Sequence, residues 1–476
     1  MNQKEADVIC VDLDYTLIST DILVEQIVSF LKKKPTAFFH ILFWLLKSKQ
    51  YLKEKLSENV HLDYSEIPIR EEVLSYLKQE KEKGNRLVLV TASNIKIANG
   101  INNYLKLFDE VYGSNSNLNL KGKNKAKFLE QKFGRNRFIY IGDSIADLPI
   151  WKIAKKSLLV SNGKTINLLL QKRKNFSGNL LSYRTKIEDF FKLIRLHQWI
   201  KNLLLFLPLI LAHEFGSISI IGRSTLAFVS FSLVASFVYI FNDIVDIRND
   251  RKHPSKKLRP IPSGLISAYT AFFYCFLLLA VGIALALSIN SGFTLICIVY
   301  ILLNLVYSFF AKRIPITDIF LLSTFYVLRI IAGSLATHVP VSNWLLAFSI
   351  FFFLSLATLK RYVELNLIAN SEANTHGRPY SIDSLDFFQI LGVNSAFASI
   401  IVLILYINSE KVNSLYKSPS LLWFDAFLLL FWLAMLWNYA KNKNIDYDPV
   451  LVILRNPIFL FTLLMMIIVW ISAIIL

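Results

Sequence analysis

The run Asn242 to Gly264, NDIVDIRNDRKHPSKKLRPIPSG, closes an apolar segment, Thr225 to Phe241, that with its flanks is long enough to cross a bilayer. Asn242, Asp246 and Asp250 recur at i, i+4 and i+8. On a helix they form one stripe, each a little over a turn above the last and roughly 6 Å apart. Asp243 lies beside them. Carboxylates at the mouth of a membrane helix repel one another and are costly to desolvate. A divalent cation reverses that cost, and Mg²⁺ favours a few carboxylates together with substrate phosphates. Arg248, Arg251, Lys252, Lys256, Lys257 and Arg259 follow directly. Such a stripe and loop supply oxygens for a metal and cations for the phosphates of a Mg²⁺-diphosphate site. The basic residues by themselves also suit a loop that meets anionic lipid, a reading in which the acids have no part.

Outward from this stretch the 476-residue chain divides by composition. Residues 1–165 are mixed and charged; residues 185–476 are apolar runs with short polar breaks; 166–184 form a basic, Gly/Ser-containing linker. The net charge of +18 follows largely from positively charged loops at one membrane face, so nucleic-acid binding is not implied. Cys10, Cys275 and Cys297 form no disulfide framework. The start, MNQKEADVICVDLDYT, is polar and then a short strand, unlike a cleavable signal peptide.

In the first domain Val8–Val11 reads as a buried strand ending in Asp12-Leu13-Asp14-Tyr15-Thr16. This puts Asp12 and Asp14 at a strand's carboxyl end, where doubly wound α/β sheets bind ligands. A second strand, Arg86 to Val90, ends in Thr91. Lys125 begins a helix, with Lys123 and Lys127 as rivals for its role, and a third strand ends in Gly142-Asp143-Ser144-Ile145-Ala146-Asp147. DxDxT and GDSxxD in this order resemble the haloacid dehalogenase (HAD) superfamily of phosphatases. The resemblance implies a doubly wound parallel sheet with a small helical cap, here about residues 23–83. It implies Asp12 as phosphoryl-accepting nucleophile, Asp14 as general acid and then base, Thr91 and Lys125 on the phosphate, and Mg²⁺ among Asp12, Asp14, Asp143 and Asp147. The chemistry needs these types: a carboxylate nucleophile splits phosphoester hydrolysis into two steps, and a cation stabilises the transferring phosphoryl group. Thr91 also suits a helix N-cap. Within the cap, PTAFFHILFWLLK (Pro35 to Lys47) is too short to span a bilayer; it packs in the core or lies as an interfacial helix on lipid.

Beyond an amphipathic helix expected from Tyr183 to Leu196, nine spans are expected, centred near Leu205, Val234, Leu278, Val299, Tyr326, Phe352, Ile400, Leu430 and Leu464. Arg/Lys-rich breaks follow the even-numbered spans, which places the acidic stripe and the N-terminal domain on the cytoplasmic side of a multi-pass inner or plasma membrane protein. NDxxDxxxD followed by Arg259-Pro260-Ile261-Pro262-Ser263-Gly264 resembles the UbiA superfamily of intramembrane prenyltransferases. Arg195 to Asn202, Lys312 to Asp318 with Arg329, Lys360 to Glu364, Gly377 to Ser381 and Tyr447 to Val450 are similar to its polyprenyl-phosphate phosphoribosyltransferase branch. That branch implies transfer of 5-phosphoribose from phosphoribosyl diphosphate to a polyprenyl phosphate. One or two Mg²⁺ would sit at Asn242, Asp246 and Asp250, and Lys201, Arg259, Lys312, Arg329, Lys360, Arg361, Arg378 and Tyr380 would bind substrate. The fifth span carries only Asp318 where the aromatic prenyltransferases usually have a second acidic motif, and the surplus of cations suits a phosphate-rich substrate pair. Asp448 meets either substrate or Arg455. A resident phosphatase would then remove the 5-phosphate of the lipid product; the alternatives are an α/β domain that is regulatory or docking and acts only on unrelated soluble phosphates, or transfer from a prenyl diphosphate to an aromatic or other acceptor. An oligomer is compatible with all of these.

Overall fold

The computed structural model describes residues 6–33, 37–115, 118–161, 163–181, 186–214, 216–253, 255–311, 314–369, 380–381, 383–442 and 456–476. Lys312, Arg378, Asp448 and Arg455 lie outside the described residues. The chain forms two compact units, one of residues 1–196 with 239–275 and one of residues 197–238 with 276–476.

The first unit is built on a six-stranded sheet of order β3-β2-β1-β4-β5-β6, parallel throughout. Its strands are β1 (Val8–Val11), β2 (Arg86–Asn94), β3 (Glu110–Ser114), β4 (Phe138–Gly142), β5 (Lys156–Leu159) and β6 (Phe176–Asn179). Side chains alternate across the sheet and feed two cores. Ile9, Val11, Leu87, Leu89, Ile139 and Ile141 pack on one face, and Cys10, Val88, Val90, Phe138 and Tyr140 on the other. Strands covered on both sides read as continuous apolar runs, as VICV and FIYIG do. β1 lies between β2 and β4, so the chain order reverses beside it, and a ligand crevice opens there at the strands' carboxyl ends.

Helices α1 (Ile22–Lys33), α2 (Ala37–Lys47), α3 (Lys49–Asn59) and α4 (Glu71–Glu82) fill the insertion between β1 and β2. α2 is not a core helix: Phe39 is 71% and Leu46 79% exposed, and Leu42, Phe43 and Leu45 are exposed with them. Ile41 and Trp44 alone of its described side chains pack against the core cluster as partly buried contacts. The core alternative for this stretch is therefore set aside. α5 (Ile95–Leu105), α6 (Lys123–Phe133), α7 (Leu148–Trp151) and α8 (Lys164–Gln171) complete the wrapping of the sheet.

The expected linker 166–184 is corrected. It holds most of α8 and all of β6, which pairs in parallel with β5. Leu180 N–H donates to Leu159 C=O at 2.8 Å and Ser157 N–H to Asn175 C=O at 2.8 Å. An edge strand pairs through its backbone, so Gly, Ser and basic side chains can face solvent without breaking the ladder.

Eight helices among the described residues are long and apolar enough to cross a membrane. They are α11 (Ile218–Val245), α13 (Ala268–Ile289), α14 (Ser291–Phe309), α15 (Thr317–Thr337), α16 (Asn343–Ala369), α17 (Ser384–Ile407), α19 (Leu422–Asn442) and α20 (Pro457–Ile475). Short helices α9 (Ile187–Leu193) and α10 (Leu207–Leu211) precede them, and α12 (Ile247–Lys252) and α18 (Glu410–Leu415) lie between them. The ninth expected span, near Leu205, belongs to a helix pair, Ile187–Leu193 and Leu196–Leu211, bent by 51°. In the second unit Gly333 of α15 lets this segment approach closely: a Cβ there would stand 2.0 Å from the Leu205 carbonyl oxygen. The protein is thus a multi-pass membrane protein.

Candidate active sites

The carboxyl ends of β1 and β4 bring together Asp12, Asp143 and Asp147, whose oxygens lie within 4.8 Å of one another. Asp12 is fixed at both ends. Its backbone N–H donates to Ile141 C=O at 3.0 Å, its Oδ1 accepts from Leu13 N–H at 2.8 Å, and its Oδ2 lies 2.8 Å from Lys125 Nζ. Lys125 is 2% exposed, whereas its rivals Lys123 and Lys127 are exposed. Nζ also donates to Tyr140 Oη at 3.1 Å, and that hydroxyl donates to Asp147 Oδ1 at 2.8 Å. Asp147 Oδ2 accepts the N–H groups of Asp143 and Ser144, each at 3.2 Å. Gly142 makes room for this carboxylate: a Cβ would lie 2.7 Å from Asp147 Oδ2. Three clustered carboxylates form an all-oxygen donor set that fits a hard cation such as Mg²⁺.

The Asp14 carboxylate stands outside this cluster. Its Oδ1 accepts from Ile22 N–H at 2.9 Å and its Oδ2 from Ser93 Oγ at 2.6 Å. Tyr15 beside it takes φ of 56°, a left-handed backbone. Burial, reinforced by the neighbouring charge of Asp21, pushes Asp14 up to about 7, which keeps a proton on it near neutrality. Burial likewise raises Asp143 and Asp147. For Lys125 burial works downward, but Asp12 and Asp147 outweigh it and hold the ammonium charged. Thr91 is fully buried in β2 and its Oγ1 accepts from Ser93 N–H at 2.9 Å. The helix N-cap is instead Asn94, whose side chain accepts from Lys96 N–H at 2.9 Å.

A cavity of about 320 Å³ opens over these residues. Lys49, Lys53 and Lys121 share its lining with the acids, and so does Tyr269 from the first turn of α13.

The acidic stripe also belongs to the first unit. Asp246 N–H donates to Asn242 C=O at 2.8 Å and Asp250 N–H to Asp246 C=O at 2.9 Å, so the i, i+4 bonding continues across the break between α11 and α12. Arg259 Nη1 donates to Asp243 Oδ1 at 2.9 Å and to Asp250 Oδ2 at 2.8 Å. Arg195 donates to the same Asp243 oxygen and lies over the Tyr239 ring. Asp243, which the spacing leaves off the stripe, is thus the acid on which two arginines converge. Among the described residues the carboxylates of Asp243, Asp246 and Asp250 do not gather within 4.8 Å as Asp12, Asp143 and Asp147 do; their donor chemistry still suits Mg²⁺. Three of the loop's basic residues are engaged elsewhere. Arg251 Nη1 donates to Glu25 Oε1 at 2.8 Å, Arg248 Nε to Glu25 Oε2 at 3.5 Å, and Lys252 Nζ lies 2.5 Å from Glu66. Glu25 is 1% exposed, and a buried carboxylate is tolerated only with such partners.

In the second unit Arg329 is 3% exposed. It donates to Asn202 Oδ1 at 2.8 Å, to Tyr300 Oη at 3.3 Å and to the Phe325 carbonyl, and lies over the rings of Phe231, Tyr300 and Tyr326. Arg361 is 1% exposed and donates to Asp318 at 2.6 Å, Glu364 at 2.5 Å and Tyr307 Oη at 3.1 Å. Tyr380 donates to the same Asp318 and accepts from Ile316 N–H at 2.8 Å. Arg361 and Tyr380 therefore both hold protein partners, with Asp318 in common. Lys360 in α16 and Lys201 in the 3₁₀ segment Leu196–Phe206 are half-buried.

Sequence reasoning missed Ser93, Tyr140, Glu25 and Tyr269. Ser93, two residues past Thr91, and Tyr140, two residues before Gly142, share strands with motif residues and were open to notice; Glu25 and Tyr269 meet their partners only across long sequence separations.

Residues 203–448 match the UbiA prenyltransferase family, and residues 9–152 match the haloacid dehalogenase-like hydrolases. An uncharacterised protein, y4nM of Sinorhizobium fredii, is 33% identical over 456 residues, covering 95% of this chain and 88% of that one. The decaprenyl-phosphate phosphoribosyltransferase of Mycolicibacterium smegmatis is 30% identical over 263 residues, covering 54% of this chain and 82% of the relative. Among solved structures, a UbiA homologue from Archaeoglobus fulgidus bound to DMAPP and Mg²⁺ is similar at 17% identity with a TM-score of 0.46, covering 60% of this chain and 100% of that one. The chain belongs to the UbiA prenyltransferase family and carries, ahead of that domain, a haloacid dehalogenase-like hydrolase domain.

Proposed function

We propose that the UbiA domain transfers 5-phosphoribose from phosphoribosyl diphosphate to a polyprenyl phosphate and that the hydrolase domain removes the 5-phosphate from the product. The observation that carries the pairing is that the acidic stripe and the Asp12 site fold into one compact unit. Similarity to a phosphoribosyltransferase supports the donor, and the alternation of basic loops supports a cytoplasmic site.

In the transfer step the ribose C1–O bond breaks with its electron pair going to the departing diphosphate, and an oxygen of the lipid phosphate bonds to C1. Arg259 and Arg195 stabilise charge growing on the diphosphate. Asn242, Asp246 and Asp250 would hold Mg²⁺ with Asp243 beside them, and Lys201, Lys312, Arg329, Lys360, Arg361, Arg378 and Tyr380 would bind the phosphate-bearing substrates. In the hydrolytic step Asp12 attacks phosphorus, the bond to O5′ breaks, and Asp14 delivers its proton to O5′. Asp14 then takes a proton from water, which attacks phosphorus, releases phosphate and restores Asp12. Lys125 holds the phosphate oxygens, and Thr91 supports Ser93, which orients Asp14. Mg²⁺ at either acidic site would neutralise phosphate charge.

The test uses purified protein with polyprenyl phosphate and, in parallel, labelled phosphoribosyl diphosphate or labelled prenyl diphosphate. Pentose transfer lost in Asp246→Asn/Asp250→Asn, and phosphate release from the lipid product lost in Asp12→Asn, are the expected results. Transfer of the prenyl label instead, or undiminished phosphate release from Asp12→Asn, overturns the reading.

A further inference from the structure

The lining of the Asp12 cavity holds five carboxylates and four lysines. Asp12 and Lys125 form the reacting end. Lys49, Lys53 and Lys121 share the lining with Asp14, Asp21, Asp143 and Asp147, and none of the three is ion-paired with a carboxylate among the described residues. Lys49 and Lys53 are i, i+4 on α3 and so share one face of that helix. Lys53 Nζ donates to the Ala92 carbonyl at 2.8 Å, which aims the ammonium at the end of β2 beside the acids. Lys49 Nζ stands 5.7 Å from the Tyr269 ring centroid, and the Tyr15 ring lies 6.4 Å from the same ring. Tyr269 opens α13, a helix apolar enough to cross a membrane. Gly264, just upstream, lets that loop approach: with φ of +74°, a Cβ there would stand 2.4 Å from Ser19 Cβ.

Lys53 is half-buried whereas Lys49 and Lys121 are exposed, and the three ammonium groups repel each other even though Asp14 and Asp21 attract Lys53. A substrate with a single phosphate, seated at Asp12 and Lys125, leaves that repulsion in place. A second anion on the substrate relieves it. We propose that Lys49, Lys53 and Lys121 form a subsite for a second anionic group of the substrate, the phosphodiester at C1 of a membrane-borne ribose 5-phosphate, with Tyr269 as the wall against which the sugar enters. This rests on the phosphatase reading above and adds its substrate class. The same pair of anions occurs in soluble phosphoribosyl diphosphate, so both sources share the chemistry. The position of Tyr269 at the start of an apolar span favours the lipid source.

Phosphate release by the full-length protein is measured on four probes. They are ribose 5-phosphate, its C1 methyl phosphodiester, phosphoribosyl diphosphate, and the C1 phosphodiester of a short polyprenol in detergent. Wild type should prefer the methyl phosphodiester over ribose 5-phosphate by about tenfold or more in kcat/KM, with the polyprenyl compound better still, the range for one charge-assisted contact. Lys49→Ala and Lys53→Gln should each collapse the preference ratio, mainly through KM, and Tyr269→Ala should erase the extra gain from the polyprenyl group. Lys49 is exposed, so loss of its side chain leaves the fold in place. Equal kcat/KM for the methyl phosphodiester and ribose 5-phosphate, or ratios unchanged in the variants, overturns the subsite. Preference for phosphoribosyl diphosphate over the polyprenyl compound overturns the lipid source. Failure to hydrolyse any of the four instead removes the phosphatase reading, so the two failures are separable.

Discussion

Arg251, which directly follows Asp250, donates to the carboxylate of Glu25 at 2.8 Å in the helix that follows the Asp12-Asp14 turn. The two acidic motifs are thus tied by a buried ion pair, and Arg248 adds a second hold on the same acid. Thr20 Oγ1 donates to Glu25 as well, at 2.8 Å, which continues the tie toward the Asp14 turn.

Glu25→Ala should lower the thermal midpoint of the purified protein sharply, because it leaves Arg248 and Arg251 without their acid. Breaking a buried pair from one side is worth about 3 kcal/mol or more. In a double-mutant cycle, Glu25→Gln with Arg251→Gln should lose less than the sum of the single changes. Additive losses, read from midpoints in detergent, would mean that the pair contributes nothing as a pair.

Asp14 as a general acid predicts a leaving-group-dependent pH profile. Alkyl phosphates, whose alkoxide must be protonated, should lose kcat/KM as pH rises through about 7, where Asp14 gives up its proton. Aryl phosphates with good leaving groups should lack that limb. Identical profiles for the two substrate classes would assign the proton to another group.

The same carboxyl predicts a stability effect of defined sign. Its folded pKa of about 7 lies above the ordinary value of 3.8, so folding takes up a proton between these limits and stability falls as pH rises through them. Asp14→Asn should therefore raise the midpoint at pH 8 and change it little at pH 4, by no more than roughly 4 kcal/mol in all. Thermal scans at the two pH values decide this.

Asp243 predicts a transferase effect outside the i, i+4, i+8 stripe. Asp243→Asn should cut pentose transfer by about tenfold or more, since Arg195 and Arg259 both lose the charge that holds them. Arg259→Lys should not restore activity, because an ammonium cannot reproduce a guanidinium bridging two carboxylates. Initial rates of label transfer measure both.

The exposed face of α2 predicts tolerance. Phe39→Ser with Leu46→Ser should shift stability by no more than about 0.5 kcal/mol, the scale of surface changes. Leu52→Ala in the adjoining α3, at a side chain 2% exposed, should cost about 2–5 kcal/mol. Midpoints of the two variants side by side test whether α2 belongs to the core.

Several features were legible in the chain itself. DLDYT after VICV and GDSIAD after FIYI fix two strand ends, because a buried strand ending in clustered acids has one stable placement in a parallel sheet. Apolar run length fixed the membrane helices, since a bilayer sets a minimum span. The stripe at Asn242, Asp246 and Asp250 follows from helical period alone. Local spacing carries no information about partners far along the chain. Only tertiary structure selected Lys125 over Lys123 and Lys127, by burying one face of α6 against Asp12. It turned the supposed linker into β6, because backbone pairing at a sheet edge needs no apolar signature. It also gave Arg248 and Arg251 to Glu25, and Arg361 to Asp318. A buried charge takes whatever opposite charge the fold brings within reach, and that reach is decided by packing across hundreds of residues, which no repeat or motif in the sequence encodes.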